Sequence, residues 1–290
     1  MSVRLCVIAD IHHGRPSATK RGDTALDLMA EFARFANEAK PDAVIDLGDR
    51  ISDEDRDTDL GLERDVADAF KAVDAPVRHL NGNHDRDHLD VADNEAVLGQ
   101  ALESAAVDLG AWRLVLWRAD TKIVRGPHHS GFVLREHDLL WLSRVAQTAD
   151  RPLLLLSHVP ISGHSQVGNY YFENNPASAT YPMADRARAA LAQARVPVVC
   201  LAGHVHWNTI TQVGGITHLT QQSLTESFTT EGEPAAAWGL VELDDAVRWE
   251  VFGRDPMQFS FKPEARRWTP PLPVFAHHPD LAGRRRGVSE

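Results

Sequence analysis

The sequence predicts an α/β fold, and three observations carry that prediction. Short continuous apolar runs, of the kind that fill sheets buried on both faces, recur along the first 206 residues. Segments with apolar residues at helical spacing separate those runs. Beyond His206 the pattern changes to alternation of period two, broken by tight-turn residues. At 290 residues the chain can bury most of its apolar surface around one core, without a disulfide framework or a structural zinc.

Taken in order, "LCVIA" reads as the first strand. A helix follows, with a cap at Asp23 or Thr24 and a stripe of Leu28, Phe32, Phe35 and Ala39. "AVIDL" is the second strand, and Leu62, Val66, Phe70 and Val73 mark the second helix. "PVRHL" comes next, then a helix carrying Leu139, Leu142 and Ala146, then "PLLLLS". Met183, Ala187, Ala190, Leu191 and Ala194 form a fourth stripe, opened by Pro182 near its first turn, and "PVVCLA" follows. "TITQV" and "ITHLT" flank Gly214 and Gly215 as a hairpin, and "WGLVEL" and "VRWEVF" flank Asp244 to Ala246 as another. These hairpins read as an antiparallel edge that completes a second sheet packed on the first. Residues 1–262 are expected to form one catalytic domain, and 263–290, rich in proline, a tail that wraps the surface or stays loose.

Composition narrows the function. A net charge of −11 argues against broad affinity for long nucleic acids, which rests on clustered Lys and Arg. The one basic run, Arg284 to Arg286, reads as a solvated end. No apolar run approaches the ~20 residues of a membrane span, and the start lacks the pattern of a signal peptide. Cys6 and Cys200 both sit inside apolar stretches as buried inert thiols, so a cytoplasmic setting is expected.

Polar residues collect where the apolar runs end. "VIA" runs into Asp10 and His12, "VIDLG" into Asp49, and "VRHLNG" into Asn83, His84 and Asp85. "LLLLS" ends in His158, and "VVCLAG" in His204 and His206. The carboxyl ends of strands in an open α/β sheet share one edge, where ligands bind. Singly, each residue has a bland explanation: His158 as a core histidine, Asp49 and Asn83 as turn residues, Asp10 as a helix cap. Jointly they form a set of good ligands for a borderline divalent metal. Two Asp, one Asn and four or five His exceed the three or four protein ligands of a mononuclear zinc site, and with Asp49 shared they divide into two ions. Mixed oxygen and nitrogen donors do not select sharply among Mn, Fe and Zn, but the imidazoles disfavour Mg or Ca alone.

"D10-I-H12", "G48-D49", "G82-N83-H84-D85", "H158" and "G203-H204-V205-H206" resemble the five signatures of the calcineurin-like metallophosphoesterases, across about residues 3 to 253. Length and motif spacing are most similar to the bacterial class III cyclic-nucleotide and glycerophosphodiester phosphodiesterase branch. The resemblance implies a four-layer αββα sandwich, with two mixed sheets flanked by helices. It implies one metal held by Asp10, His12, Asp49 and His206, and a second held by Asp49, Asn83, His158 and His204. His84 is left off the metals, to contact the phosphate or protonate the leaving oxygen. One departure stands out: relatives often carry a His pair followed by prolines, whereas this chain reads Ser157-His158-Val159-Pro160.

In such a centre two ions ~3.5–4 Å apart share a bridging water, lower its pKa and clamp the phosphoryl oxygens for in-line attack. Asp49 and His84 are the expected catalytic residues, His84 as a preorganised donor. Asp85 is a candidate to orient His84 or a ligand. His13 points away from Asp10 and His12 by strand alternation, toward the rim. Arg15, Arg50 and Arg86 lie beside motifs, with Arg50 and Arg86 able to pair with Asp53, Asp55 or Asp87 instead of a phosphate. In the 161–181 loop, Tyr170, Tyr171 and Tyr181 either stack a flat substrate group or bury the loop against the body or a second subunit. Two functional classes follow. One is a hydrolase of small phosphoesters: a phosphodiesterase acting on small diesters or cyclic nucleotides, or a phosphomonoesterase on the same site. The other is a non-catalytic interaction scaffold. A homo-oligomer is compatible with either.

Overall fold

The structure, a computed structural model, describes residues 2–126 and 130–265. In chain order its strands are β1 (Val3–Ile8), β2 (Ala43–Asp46), β3 (Val77–His79), β4 (Ala105–Leu109), β5 (Trp112–Leu116), β6 (Val124–Arg125), β7 (Ser130–Gly131), β8 (Leu153–Ser157), β9 (Val198–Ala202), β10 (Thr209–Val213), β11 (Ile216–Thr220), β12 (Trp238–Leu243), β13 (Val247–Phe252) and β14 (Met257–Phe261). Its helices are α1 (Ala25–Ala39), α2 (Arg56–Phe70), α3 (Val91–Leu98), α4 (Glu136–Gln147), α5 (Pro176–Ala179) and α6 (Ala184–Leu191). The first sheet runs β14-β13-β12-β1-β2-β3 and the second β10-β11-β9-β8-β5-β4, both mixed, and β6 and β7 form a separate ribbon.

Alternation along the central strands builds the layers. Leu5 and Val7 of β1, Leu154 and Leu156 of β8, and Val199 and Leu201 of β9 meet between the two sheets, with Trp112 and Trp249. Cys6 and Ile8 face outward onto Met29, Phe32 and Ala36 of α1 and Val66 and Phe70 of α2. Leu153, Leu155, Val198 and Cys200 face the other way, onto Leu139, Leu142 and Ala146 of α4 and Ala187, Ala190 and Leu191 of α6. The result is the four-layer αββα sandwich, and it explains the unbroken apolar runs, since a strand covered on both faces has no solvent side to mark. Each fully buried Leu, Ile or Val in these layers is worth about 1.5–3 kcal/mol relative to exposure. Cys6 and Cys200 are free and buried, and burial pushes both thiols up, Cys6 to about 12.

The structure corrects four local expectations. The late hairpins do not form one edge: β10–β11 joins the second sheet, with β11 parallel to β9, whereas β12–β14 joins the first beside β1. Period two shows a half-buried strand but not which sheet it extends. Met183 lies before α6, exposed and in a left-handed conformation, so Pro182 stands outside the helix rather than in its first turn. Thr24 precedes α1 without capping it, because its hydroxyl donates to the Arg21 carbonyl. The β4–β5 hairpin and α3, the latter closed by an Asp90–Asp93 capping box, were not legible as stripes. Of the expected tail, residues 266–290 lie outside the described residues.

Candidate metal site

Every expected ligand arrives on a turn just past a strand. Asp10 and His12 follow β1, Asp49 follows β2, Asn83 follows β3, His158 follows β8, and His204 and His206 follow β9. Five of these residues, on the turns after β1, β2 and β9, are held in the left-handed region, with φ of 53° at Asp10, 48° at His12, 56° at Asp49, 71° at His204 and 60° at His206. That region is uncommon for residues with a Cβ, and five occurrences at one site mark a constraint beyond packing. Two glycines permit the close approach: a Cβ at Gly82 would collide with the Asp49 carboxylate and backbone, and one at Gly203 with Asp10 Oδ2.

The side chains converge in two overlapping groups. Asp10, His12, Asp49 and His206 bring one ligand atom each within 4.8 Å of the others, and so do Asp49, His158 and His204. Asp49 belongs to both, its Oδ2 lying 3.4 Å from His158 Nε2 and 3.8 Å from His12 Nε2. The Asn83 amide oxygen is 3.2 Å from His158 Nε2. Asp10, His12 and Asp49 are essentially without solvent exposure, and the rest of the set is buried.

Hydrogen bonds to pure acceptors fix which ring nitrogens carry protons. His158 donates Nδ1–H to the Leu47 carbonyl at 2.9 Å, His204 donates Nε2–H to the Ser178 carbonyl at 2.6 Å, and His206 donates Nδ1–H to Glu226 at 2.8 Å. Each thereby turns its other ring nitrogen inward, the arrangement metal-binding histidines use. His204 Nδ1 has no protein partner, and His12 Nε2 faces His206 Nε2 at 3.0 Å. Inward lone pairs around shared carboxylates suit cations. The residues therefore fit two divalent ions in donor type and orientation.

Charge in the cluster is divided. Burial opposes ionisation of Asp49, but His158, His84 and His12 outweigh it and hold the carboxyl well below the usual range. Burial pushes Asp10 up to about 6 against the pull of His206 and His158. Burial lowers His204 to about 3, with His158 adding to the effect. At His158 burial works against the charged ring, yet Asp49 raises it to about 9.

His84 stands at the mouth, a quarter exposed, with Nδ1 against Asp53 and its backbone N–H donated to Asp49 Oδ1 at 2.8 Å. Asp85 does not orient His84. It accepts the backbone N–H groups of Asp49, Arg50 and Gly82 at 2.7–2.9 Å, fixing the turn that presents Asp49. The arginine pairings also differ from expectation. Arg50 is fully buried among Asp46, Glu63 and Asp85, Arg86 contacts Asp120, and neither meets Asp53, Asp55 or Asp87. Arg15 is exposed beside Glu54, and His13 lies aside at 3.4 Å from Asp65. A cleft of about 410 Å³ opens over the cluster, lined by Lys20, His84, Tyr170, Tyr171, Phe172 and Phe228. Tyr170 and Tyr171 are exposed there, whereas Tyr181 is buried against Trp117 and Phe132 with its hydroxyl on the Ala119 carbonyl. Glu226, Asp53 and Lys20 were missed from sequence. Glu226 and Lys20 come from aperiodic loops with no signal, while Asp53, four residues past Asp49, was weighed only as an arginine partner.

A four-layer sandwich with Asp, Asn and His at the strand ends of both sheets defines a metallophosphoesterase type of fold. The sequence agrees: residues 3–208 match the model of the calcineurin-like phosphoesterases, and the chain belongs to that family. No curated protein searched matches it by sequence. Among solved structures it is similar to a dimetal phosphatase from Danio rerio, at 16% identity and a TM-score of 0.71, covering 90% of this chain and 98% of that one. It is also similar to the purple acid phosphatase PPD1 of yellow lupin, at 12% identity and a TM-score of 0.60, over 90% of this chain and 54% of that one. A third is GAP50, described as the anchor in the inner membrane complex of Plasmodium, at 12% identity, a TM-score of 0.55 and coverages of 92% and 90%. No helix among the described residues is long and apolar enough to cross a membrane.

Proposed function

We propose that the chain is a dinuclear metal-dependent hydrolase of small phosphoesters, a phosphodiesterase by preference, with residues 1–262 as its catalytic domain. The observation that carries this reading is Asp49. One buried carboxylate is common to both ligand groups, with histidine ring nitrogens turned toward it from either side. In this reading Asp10, His12, Asp49 and His206 hold one ion, and Asp49, Asn83, His158 and His204 hold the other. Two bound divalent ions would supply an activated water and neutralise the phosphoryl oxygens. The remaining work falls to this chain's residues. The turns after β1, β2 and β9 hold the carboxylates and imidazoles rigid, and Ser178, Leu47 and Glu226 fix the ring orientations. His84, outside the ligand set and braced by Asp53, presents Nε2 to the cleft as the donor for the phosphate or the departing oxygen.

The first test is a substrate panel with Mn, Fe and Zn: bis-aryl and mono-aryl phosphates, cyclic nucleotides and glycerophosphodiesters. Diesters are expected to turn over faster than monoesters. The reverse ranking makes the protein a phosphomonoesterase. Failure to bind about two ions per chain, with no turnover, leaves the scaffold reading, for which a fold shared with a protein described as an anchor is a precedent.

A further inference from the structure

Among the side chains facing the cleft, Lys20 is a cation that the expected motifs do not include. It lies on the segment after β1, and its ammonium nitrogen stands 3.4 Å from His84 Nε2 at the mouth of the cleft. It pairs with no carboxylate among the described residues. Arg125, the other cation lining the cleft, is bound to Asp87 at 2.6 Å. In a chain of net charge −11, an ammonium with no carboxylate partner beside a phosphate site is a feature that solvation of the surface does not explain.

The segment is also built to hold that ammonium in place. Lys20 and Ser17 exchange backbone hydrogen bonds at 2.6 and 3.0 Å, Arg21 N–H donates to the Thr225 carbonyl at 2.9 Å, and Arg21 Nε donates to the Gly232 carbonyl at 2.9 Å. The Ser227 hydroxyl donates to the Thr19 carbonyl, and Lys20 bridges Glu226 as a paired strand residue. Glu226 is the carboxylate that orients His206. One stapled pair of loops thus fixes an inner metal-facing imidazole and an outer cation together, so the cation is preorganised rather than recruited from solvent.

We propose that Lys20 is a phosphate-binding residue of this site: its ammonium takes a phosphoryl oxygen beside His84, and this contact sets the balance between monoester and diester substrates. The inference rests on the phosphoesterase reading for its substrate but not for its anion. A phosphomonoester carries about two negative charges near neutral pH and a diester fewer, so the contact strengthens with the monoester. Aromatic rings line the same cleft, with Tyr170 and Phe228 meeting at 5.5 Å, and offer the organic part of the ester an apolar surface beside the cation.

The experiment compares wild type, Lys20→Met and Lys20→Arg, each loaded with Mn, in two assays. Calorimetric titration with inorganic phosphate reads anion binding without turnover. Steady-state kinetics with p-nitrophenyl phosphate and bis-p-nitrophenyl phosphate reads discrimination. Loss of a charged hydrogen bond is expected to weaken phosphate binding roughly ten- to a hundredfold in Lys20→Met, with Lys20→Arg recovering most of it. Lys20→Met should also raise KM for the monoester more than for the diester, at unchanged metal content and melting temperature. Unchanged phosphate affinity in Lys20→Met overturns the inference, and so does equal weakening in Lys20→Arg. A wild type that binds phosphate through Lys20 but hydrolyses nothing removes the hydrolase reading and leaves this one standing.

Discussion

At the scale of the residue, the site depends on groups that never touch a metal. Glu226 is held as a carboxylate: burial opposes its charge, but the His206 N–H outweighs burial and keeps it at about 2. It therefore only accepts, which holds the His206 Nδ1–H outward and turns Nε2 toward Asp10 at 3.5 Å. Replacing Glu226 by Gln keeps the shape but lets the amide turn an N–H toward the ring, which weakens the orientation. Outer partners of this kind are worth about 10- to 100-fold in metal affinity or activity. Glu226→Gln should lose affinity in that range by competition against a metallochromic chelator, with little change in far-UV dichroism; undiminished affinity would show that the Glu226 carboxylate is not needed to orient His206. The ligand-type residues were legible because each ends a strand-like run. Glu226, Ser178 and Lys20 were not, since aperiodic loops carry them in from segments with no pattern to read.

At the scale of the element, legibility followed burial. Central strands covered on both faces announce themselves as apolar runs, and the stripe of α4 matches its buried face. Those of α1 and α2 share only Phe32, and only Val66 and Phe70, with the buried residues, their other members flanking these half-buried. The half-buried edge strand β3 was still legible in the run "PVRHL", whereas α3 buries little beyond Asn94 and carries no period. Sheet membership of the late hairpins was illegible for a different reason: pairing partners are set across the whole chain. Leu142 tests the division of labour. It is fully buried between α4 and the second sheet and does not line the cleft. Leu142→Ala should cost about 2–5 kcal/mol by denaturant unfolding, through lost burial and the cavity left behind. Turnover per folded molecule and metal stoichiometry should stay at the wild-type level well below the transition. A parallel loss of metal would mean that the outer helical layer sets the ligand turns directly.

At the scale of the molecule, the two sheets are joined at their apolar faces and again at the site. Asp10, Asp49 and Asn83 come from the first sheet, and His158, His204 and His206 from the second. The protein itself crosslinks them there: among other contacts, Asp10 accepts the His204 backbone N–H at 3.0 Å, and His158 donates to the Leu47 carbonyl at 2.9 Å. In the proposed assignment each ion takes donors from both sheets, so metal binding free energy opposes separation of the layers. It belongs to global stability rather than to a local loop. Free ion at a thousand times its dissociation constant stabilises the folded state by about 4 kcal/mol per site, which for a chain of this size raises the melting temperature by roughly 8 °C or more. Chelation should lower the melting temperature by about that amount, Mn should restore it, and His158→Ala should remove much of the response. A calorimetric transition indifferent to chelator would mean that no ion binds the folded state tightly, and would overturn the dinuclear assignment.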